Sequence, residues 1–319
     1  MTTTQAPSQP EAGPSTSAST LTPALFKRLH PRPYLEKFLG EGVRPDGRLL
    51  SSNDGGWREA SVNVGSISTA PASALIRLGQ TTVVCGITLE IAPPDISTPM
   101  HGFLVPNIDL PPLCSPLFRA GPPADEAQVL STRLRDILLS SNVLPLSSLL
   151  IEPSKAAYVV YLDVVCLNYD GGVLDAALIA CVAALRQLIL PAASWDPDTL
   201  TTTCEAISPS APGKSLSLGP LPLCISFGLF NGHLLPDPTL FESQLCTSHL
   251  TVALTLPTAP TSKSKKSEEM KLVYVYQAGS PLSVAAGAGA EGGGREQLKQ
   301  CLAMAEARAV ELRSLLLES

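Results

Sequence analysis

Val43-Arg44-Pro45-Asp46-Gly47-Arg48 follows a short amphipathic segment at residues 33–39, and it stands where the folded part of the chain is expected to begin. Pro45 fixes its own φ and Gly47 tolerates a positive φ, so Pro-Asp-Gly predicts a tight turn with an arginine on each side. Two interpretations of these arginines are open. Their guanidinium groups point at an acidic partner or a neighbouring subunit, or the turn is simply solvated.

The composition limits what the chain can do. Of its 319 residues, 45% are hydrophobic and 16% are charged, and the formal net charge is −6. This length and apolar content suffice for a sizeable core, built as one large domain or as two fused halves. A protein that neutralises many phosphates by itself is usually basic. The composition therefore argues against an autonomous nucleic-acid binder, and any RNA contact is expected to be local or shared with other chains.

Neither the cysteines nor the histidines form a pattern typical of a metal site. The cysteines include no C-x-x-C pair, several lie inside apolar runs, and the histidines are far apart in the sequence. We expect buried, reduced thiols in a reducing compartment, with no metal ion and no cofactor. The residues concerned are Cys85, Cys114, Cys166, Cys181, Cys204, Cys224, Cys246 and Cys301, and His30, His101, His233 and His249.

The beginning of the chain has the composition of a tail. Residues 1–24 are rich in Thr, Ser and Pro and lack the apolar core of a signal peptide, so they are predicted to be disordered. The longest apolar stretches, 134–150 and 173–190, are interrupted by polar or charged residues, and no membrane span is expected. The folded domain is therefore predicted to comprise residues 25–319.

The first half of this domain predicts a sheet followed by a helix. Residues 57–64 and 73–78 alternate as strands, and residues 81–91 are β-branched and apolar. A hairpin turn is predicted between the last two segments, so an antiparallel meander is expected. Residues 92–123 are rich in proline and show little periodicity, and they are predicted to form a long loop. A helix is expected from Asp125, since apolar residues then recur at helical spacing.

The second half repeats this order more loosely. A buried strand at 157–169 leads through Asp170-Gly171-Gly172 into a helix that Pro191 ends, and strands are expected near 223–229, 249–256 and 271–277 before a last helix at 295–317. Segments near 257–270 and 285–294 are predicted to be flexible connections. The sequence thus indicates an α+β fold of two βα halves, with mixed sheets packed against helices.

Several strings resemble a known family. They are ALIRLGQTTVVCG at 74–86, VPNIDLPPLC at 105–114, FRAGPP at 118–123 and YDGGVLDA at 169–176. Together with the Arg-Pro-Asp-Gly-Arg turn, in which Arg44, Asp46, Gly47 and Arg48 match the family motif, they are similar to the RNase PH family and especially to ring subunits of the RNA exosome. The similarity is weakest before residue 30 and between about 192 and 295.

The resemblance implies an RNase PH-type fold (ribosomal protein S5 domain 2-like) and assembly into a six-membered ring around a channel for RNA. The implied partners are other RNase PH-type ring subunits, RNA-binding cap subunits and associated hydrolytic nucleases. The implied work is 3′-to-5′ RNA processing and decay, including ribosomal RNA maturation, in the nucleus, nucleolus and cytoplasm.

The resemblance also bears on catalysis. Phosphorolytic members of the family hold phosphate with an arginine pair at the start of the helix after the long loop, where this chain has Asp125 and Glu126. A carboxylate before the next helix completes such a site as a general acid or metal ligand. Asp170 stands near that position, with Asp163 and Asp175 close in sequence. Asp170 is alternatively an acidic turn residue and N-cap of the following helix.

Because the arginines are replaced by acids, the sequence predicts a non-catalytic subunit. Two alternatives stay open: an active phosphate-dependent 3′-to-5′ exoribonuclease, and a protein-only adaptor that never meets RNA.

Arg119 and Arg77 are the candidate RNA contacts, together with the lysine cluster at 263–266. Each has an alternative interpretation: Arg119 pairs with a neighbouring subunit, Arg77 is an outward strand residue, and the lysines form a solvated loop.

Overall fold

The computed structural model describes residues 22–50, 56–205, 213–256, 270–280 and 293–318. The predicted tail lies outside these residues except at 22–24, and helix α1 (Pro23–Leu29) begins within that remnant. The segments predicted as flexible connections near 257–270 and 285–294 lie outside the described residues except at their last one or two positions. The lysine cluster at 263–266 also lies outside them.

The first sheet contains the predicted meander. Strands β1 (Ala60–Val64), β2 (Ala72–Leu78) and β3 (Thr81–Ala92) pair in antiparallel fashion in that order. The long strand β6 (Ala156–Asn168) pairs antiparallel with β3, and the short strand β5 (Leu150–Glu152) pairs with the start of β6. The order of the sheet is therefore not simply that of the sequence, because β6 returns to lie beside β3.

A strand inside the predicted proline-rich loop corrects the sequence-based prediction. Strand β4 (Phe103–Asp109) pairs in parallel with β6 at the edge of the first sheet. Pro106 lies within it, and a proline is compatible with an edge strand, where one N–H has no ladder partner. The N–H of Ile108 donates to the Ser131 hydroxyl at 2.8 Å. Thus the missing donor of Pro106 and the hydroxyl of Ser131 both limit further strand pairing at this edge.

The second sheet has the order β12, β11, β13, β14, with every neighbouring pair antiparallel. Its strands are β11 (Leu221–Phe230), β12 (His233–Pro236), β13 (Ser248–Leu256) and β14 (Lys271–Gly279), and α5 (Leu240–Leu245) connects β12 to β13. The predicted strands near 223–229, 249–256 and 271–277 are confirmed, and β12 and α5 are additions to the prediction. Short strands form two small ladders elsewhere: β7 (Ile189–Leu190) with β10 (Lys214–Ser215), and β8 (Ala193–Asp196) with β9 (Thr201–Cys204).

The three long helices among the described residues pack against the two sheets. Helix α4 (Val173–Gln187) packs against β2 and β3 of the first sheet and β11 of the second, and residues 173–185 are all buried. A helix that is apolar on all sides belongs in such a position. Helix α3 (Asp125–Ser141) lies against β4 and β14, and α6 (Gly293–Glu318) against β13 and β11. A helix near 295–317 is thereby confirmed, and its buried residues Cys301, Ala305, Ala309, Leu312 and Leu316 follow helical spacing.

The N-terminal helices belong to the second half of the molecule, although they precede the first sheet in sequence. Helix α2 (Pro31–Gly40) buries Leu35 and Leu39 in a small core with Phe230 of β11 and Leu235 of β12. The chain therefore passes from α2 and the Arg-Pro-Asp-Gly-Arg turn, which lie on the second sheet, to β1 in the first sheet. This crossing places the turn at residues 44–48 next to the segment between β12 and α5.

Candidate functional site

The predicted turn at residues 44–48 forms. Gly47 has a φ of +89°, and its N–H donates to the carbonyl oxygen of Arg44 at 2.9 Å. The N–H of Arg44 donates to the carbonyl of Arg48 at 2.8 Å. Asp46 accepts bonds from the backbone N–H of Arg48 at 3.1 Å and from its Nε at 2.6 Å. Local hydrogen bonds therefore hold the turn and fix the direction of the Arg48 side chain.

Both interpretations of the turn's arginines are wrong, because Arg44 is neither solvated nor directed at another chain. It is 0% exposed, its Nε donates to Oε1 of Glu242 at 2.8 Å, and its Nη2 pairs with the other carboxylate oxygen. Its Nη1 donates to the carbonyls of Gly56 at 3.0 Å and Pro236 at 2.7 Å. Such a bidentate pair uses the full geometry of the guanidinium group.

Arg48 continues the same cluster. Its Nη1 donates to the carbonyls of Gly56 at 2.8 Å and Asp237 at 3.0 Å, and its Nη2 lies 3.6 Å from Oε2 of Glu242. Burial, reinforced by the positive charge of Arg44, lowers the pKa of Arg48. The two arginines therefore anchor the N-terminal turn to the segment between β12 and α5, which is nearly two hundred residues away in sequence.

A second buried pair lies beside the first. Arg58 donates from Nε to Oδ2 of Asp237 at 2.9 Å, and its backbone N–H donates to the same oxygen at 3.1 Å. Its Nη1 reaches the carbonyl of Asp170 at 2.9 Å and the hydroxyl of Thr81 at 3.1 Å. Arg44, Arg48, Arg58, Asp237 and Glu242 are called the arginine clamp below.

Arg58 and Asp237 stabilise each other's charges. Burial by itself would raise the pKa of Asp237, but the bond and charge of Arg58 outweigh it and hold that pKa below its ordinary value. Burial would likewise lower the pKa of Arg58, and its bond to Asp237 outweighs that effect and raises it. Both pKa shifts favour the charged forms, and the bonds between Arg58 and Asp237 join the segment before β1 to the segment after β12.

Asp175 is another buried carboxylate, on the first turn of α4. Its two oxygens accept bonds from the backbone N–H and the hydroxyl of Ser226, each at 3.0 Å. Burial raises the pKa of Asp175 to about 6, and the negative charge of Asp237 adds to this, while bonds from Cys224 and Ser226 oppose it. Asp175 thus fastens α4 to β11.

The position that the family resemblance assigns to phosphate lies at the start of α3. A pocket of about 210 Å³ is formed there by the N-terminal half of α3, the start of α4, the region of α5, and strands β11 and β13. Glu126 lies in its wall, and its Oε1 accepts a 2.6 Å bond from the Tyr169 hydroxyl. Burial, and then the bond to Glu126, raises the pKa of Tyr169 well above its ordinary value. The other wall residues include Leu130, Arg133, Gly172, Val173, Leu174, Ser226, Phe227, Pro238, Ser243, His249 and Thr251.

The positive charge in this pocket is limited and already engaged. The guanidinium carbon of Arg133 lies 3.6 Å from the centroid of the Tyr276 ring, a cation–π contact. Burial lowers the pKa of His249, which favours its neutral form. Asp125 is exposed on the same helical turn as Glu126. The pocket therefore presents hydroxyl groups, apolar side chains, the Glu126 carboxylate and one guanidinium group, that of Arg133, which stacks on Tyr276.

Asp170 is bonded differently from the prediction. The N-cap of α4 is Gly172, whose φ is +65° and which offers no side-chain cap, so the proposed N-cap role of Asp170 is wrong. Its Oδ1 instead accepts from the N–H of Leu240 at 3.4 Å, where α5 begins. A Cβ on Gly172 would stand 2.4 Å from Nη2 of Arg58, so the two glycines let the chain pass close to the clamp.

The remaining predicted residues are spread over the surface. Asp163 is exposed on β6. Arg77 is exposed on β2, and its Nε donates to the carbonyl of Gly79 at 3.1 Å. Arg119 is exposed in the loop before α3. The structure thus brings Glu126 next to Tyr169, the neighbour of Asp170 in sequence. Arg77 and Arg119 lie on different elements, and RNA contact by either stays a prediction.

Sequence reasoning missed the acidic half of the clamp, although one local signal was present. Thr239-Leu240-Phe241-Glu242 fits a capping box, and the structure forms it: the Glu242 carboxylate accepts from the N–H of Thr239 at 2.9 Å. The box predicts a helix start at Thr239. Glu242 is also the counter-charge of Arg44, and nothing in the sequence indicates this role because the two residues are 198 positions apart.

The cysteines, the possible metal ligands and the long helices were each compared with the expectations from the sequence. All eight cysteines are free thiols, and most are buried, as predicted. The described part of the chain contains no group of three His, Cys, Asp or Glu side chains placed to hold a metal ion. No helix among the described residues is both long and apolar enough to cross a membrane.

Comparison with known families gives two matches, which together cover most of the chain. Residues 56–191 match the model of the 3′ exoribonuclease family, domain 1 (RNase PH), and residues 221–308 match domain 2 of the same family. The first match contains the first sheet with α3 and α4, and the second contains the second sheet and much of α6.

Individual relatives agree with these matches. The exosome complex component rrp43 of Schizosaccharomyces pombe is 43% identical over 233 residues, which are 73% of this chain and 83% of that protein. The exosome complex component Rrp42 of Pyrococcus furiosus is 33% identical over 237 residues, 74% of this chain and 82% of that protein.

Among solved structures, a chain of the Archaeoglobus fulgidus exosome with RNA bound to the active site has a TM-score of 0.67 at 25% identity, covering 88% of this chain and 96% of that one. A chain of an archaeal exosome core has a TM-score of 0.64 at 22% identity, with 89% and 95% covered, and it supports the fold alone. The expected RNase PH-type fold is confirmed.

Proposed function

The chain belongs to the RNase PH family of 3′ exoribonucleases, and we propose that it is a non-catalytic ring subunit of the RNA exosome, which scaffolds 3′-to-5′ RNA processing and degradation and helps to form the RNA channel. The relatives named exosome complex components, each similar over more than two thirds of both chains, support the ring role. The absence of catalysis is the finer part of the proposal, and it rests on the chain's own residues.

The acids at the start of α3 are the observation that carries this finer part. Asp125 and Glu126 occupy the first turn, where phosphorolytic relatives are expected to have arginines. Two like charges about 4 Å apart repel by about 1 kcal/mol in water and by about 4 kcal/mol at the effective dielectric constant of a protein surface. A phosphate at this turn would meet that repulsion. The positive end of the helix dipole is already complemented by the two carboxylates.

The carboxylates that could act as a general acid lie outside the wall of the pocket at Glu126. Asp170 accepts from the backbone of Leu240, and Asp175 accepts twice from Ser226. A general acid must reach the leaving oxygen within hydrogen-bonding distance. Neither carboxylate is among the residues that line the pocket at Glu126. This arrangement supports a subunit whose pocket no longer carries out phosphorolysis.

In this proposal the work of the chain is assembly. Its partners are other RNase PH-type ring subunits and RNA-binding cap subunits, RNA passes through the assembled channel, and associated hydrolytic nucleases degrade it. Direct contact of Arg119 or Arg77 with RNA is part of the proposal. The places of action are the nucleus, nucleolus and cytoplasm.

The test of the catalytic part is a phosphorolysis assay. The purified chain is incubated with single-stranded RNA, inorganic phosphate and Mg²⁺, and released nucleoside diphosphates are measured beside an active RNase PH as the positive control. We expect no release above that of the Asp170→Asn variant. Phosphate-dependent release that Asp170→Asn abolishes would establish the rival function, an active exoribonuclease.

The test of the ring part is separate. The chain is mixed with purified RNase PH-type subunits, singly and together, and complexes are identified by native mass spectrometry. A stable hetero-oligomer is expected. A chain that stays a monodisperse monomer at micromolar concentration with every such subunit present would contradict the ring role.

A further inference from the structure

The loop between β4 and α3, residues 110–124, contains a repeated turn that the catalytic comparison does not use. The first turn is Pro111-Pro112-Leu113-Cys114 and the second is Ser115-Pro116-Leu117-Phe118. The N–H of the fourth residue donates to the carbonyl of the first in each, at 3.0 Å in the first turn and 3.2 Å in the second. Both turns thus have proline second, leucine third and a buried residue fourth.

The repeat turns its leucines outward. Leu113 is 78% exposed and Leu117 is 59% exposed, while Cys114 and Phe118 are buried in the main core. The two large apolar side chains occupy the same position in consecutive turns. A lone exposed leucine needs no explanation, but two that are presented by the same repeated local structure form a candidate contact surface.

The loop that presents them is held in place. Each proline fixes one φ angle, and the Ser115 hydroxyl accepts from the N–H of Leu117 at 3.3 Å. The carbonyl of Cys114 accepts from the N–H of Tyr169 at 3.2 Å, and the ring of Phe118 packs edge-on against the ring of Tyr169 at 5.3 Å. A surface that is already ordered loses little conformational entropy when a partner binds. The two leucines are therefore preorganised for contact.

The charges that follow the leucines indicate what kind of partner fits. Arg119 is exposed in the same loop, and the first turn of α3 adds the exposed carboxylates of Asp125 and Glu126. The Glu126 carboxylate is bonded to Tyr169, whereas the Asp125 carboxylate makes no hydrogen bond or ion pair with any described residue. Eight residues after Leu117 in sequence there is thus an exposed acidic group that is free to attract a basic side chain.

We propose that Leu113 and Leu117 are the apolar contact by which this chain docks on a neighbouring RNase PH-type subunit, whose surface offers an apolar socket beside a basic side chain facing Asp125. The inference rests on the proposed ring role and names one surface that serves it. RNA fits these two leucines less well, because apolar side chains offer no positive charge to phosphate and Asp125 repels it; Arg119, in the same loop, is the group proposed above to contact RNA. A folded protein surface supplies both the socket and the basic group.

The experiment compares Leu113→Asp/Leu117→Asp with Ile96→Asp, a matched control in which an aspartate replaces an exposed residue of the loop between β3 and β4. Ile96 is 97% exposed, so its substitution has the same chemistry without the repeated turn. The affinity of each full-length variant for the purified RNase PH-type subunits that bind the wild-type chain is measured by titration. We expect the double variant to bind roughly 10- to 100-fold more weakly, and Ile96→Asp to bind as the wild type does.

Two further measurements keep the test decisive. Thermal melting of each variant shows that it is folded, and Leu113→Ser/Leu117→Ser, which adds no charge, should weaken binding in the same direction. Hydroxyl-radical labelling of the wild-type chain needs no substitution. Oxidation of Leu113 and Leu117 should fall on assembly, while oxidation of Ile96 should stay unchanged.

The outcomes separate this inference from the ring role. If the wild-type chain forms the hetero-oligomer and the folded double variant forms it equally well, the docking surface is wrong while the ring role stands. Unchanged assembly with weakened RNA binding assigns the leucines to RNA and also overturns the inference. A homodimer that only the leucine substitutions dissolve points to a second copy of this chain. A wild-type chain that binds no RNase PH-type subunit overturns the ring role itself, and this inference with it.

Discussion

Glu242→Gln should destabilise the protein strongly, because it removes the counter-charge of a fully buried arginine. Glutamine at this position still fits the capping box with Thr239, so the start of α5 keeps a suitable residue. The charge of Arg44 is then left buried without its carboxylate, and one amide hydrogen of the new side chain faces guanidinium N–H groups. The substitution therefore tests the electrostatic part of the clamp more selectively than a truncation does.

The size of the effect follows from the burial of the pair. Arg44 is 0% exposed and the Glu242 side chain 1% exposed, so neither charge is compensated by water. Breaking a buried ion pair by removing one partner costs about 3–5 kcal/mol. For a protein of this size, 1 kcal/mol corresponds to about 2–4 °C in melting temperature, so the midpoint should fall by roughly 10 °C.

The assay is urea denaturation followed by tryptophan fluorescence and by far-UV circular dichroism. Trp57 packs on Phe227 at a ring distance of 5.8 Å, so its emission reports the junction of the first half with β11. The matched control is Glu311→Gln, the same chemical change in an exposed pair with Arg308. The Glu311 side chain is 61% exposed, and an exposed pair contributes only about 0–1 kcal/mol.

The same unfolding data test whether the two halves of the protein unfold together. We propose that residues 25–319 unfold as one domain, since the clamp joins the N-terminal turn and β12–α5 to the turn before α4. Glu242→Gln should then shift both spectroscopic transitions together. The reasoning is refuted if Glu242→Gln lowers stability by no more than Glu311→Gln, or if only one of the two signals moves.

Two other predictions concern single groups. Asp175 has a pKa of about 6 in the folded protein against an ordinary value of 3.8, so the folded state binds more protons between these values. The contribution of Asp175 to stability is therefore full below pH 4 and is lost as pH rises through 6. The stability of the wild type relative to Asp175→Asn should therefore fall by on the order of 3 kcal/mol from pH 4 to pH 7 in urea titrations, and a difference that does not change with pH would contradict it. Arg119→Glu in the assembled complex should weaken RNA binding partially at low salt, and less at high salt because ions screen the charge, while assembly is unchanged. Filter binding of RNA at two salt concentrations checks this, and loss of the complex would instead make Arg119 a subunit contact.

The sequence alone determined those features that short-range physics controls. Pro45 and Gly47 fixed a turn whose form is set within five residues. Alternation in residues 57–64 and 73–78, together with the β-branched residues of 81–91, predicted the meander, because strand faces repeat every second residue and β-branched residues favour strands. Asp125 and Glu126, at the start of the helix predicted from Asp125, were identified from the sequence alone. The two βα halves and the α+β class followed from the order of such local signals.

Only the tertiary structure decided where the long-range partners lie. Local chemistry placed Arg44 and Arg48 on a turn, but no local rule connects Arg44 to Glu242, because compaction of the whole chain brings them together. Strand β4 was hidden by Pro106, which a sequence rule treats as a strand breaker and an edge position tolerates. For Asp170 the sequence left a catalytic carboxylate and an N-cap of the next helix open, and the structure excludes the N-cap, because the Asp170 side chain accepts from the N–H of Leu240 at the start of α5. Periodicity and propensity act over a few residues, whereas buried charges and edge strands depend on neighbours that only the folded chain supplies.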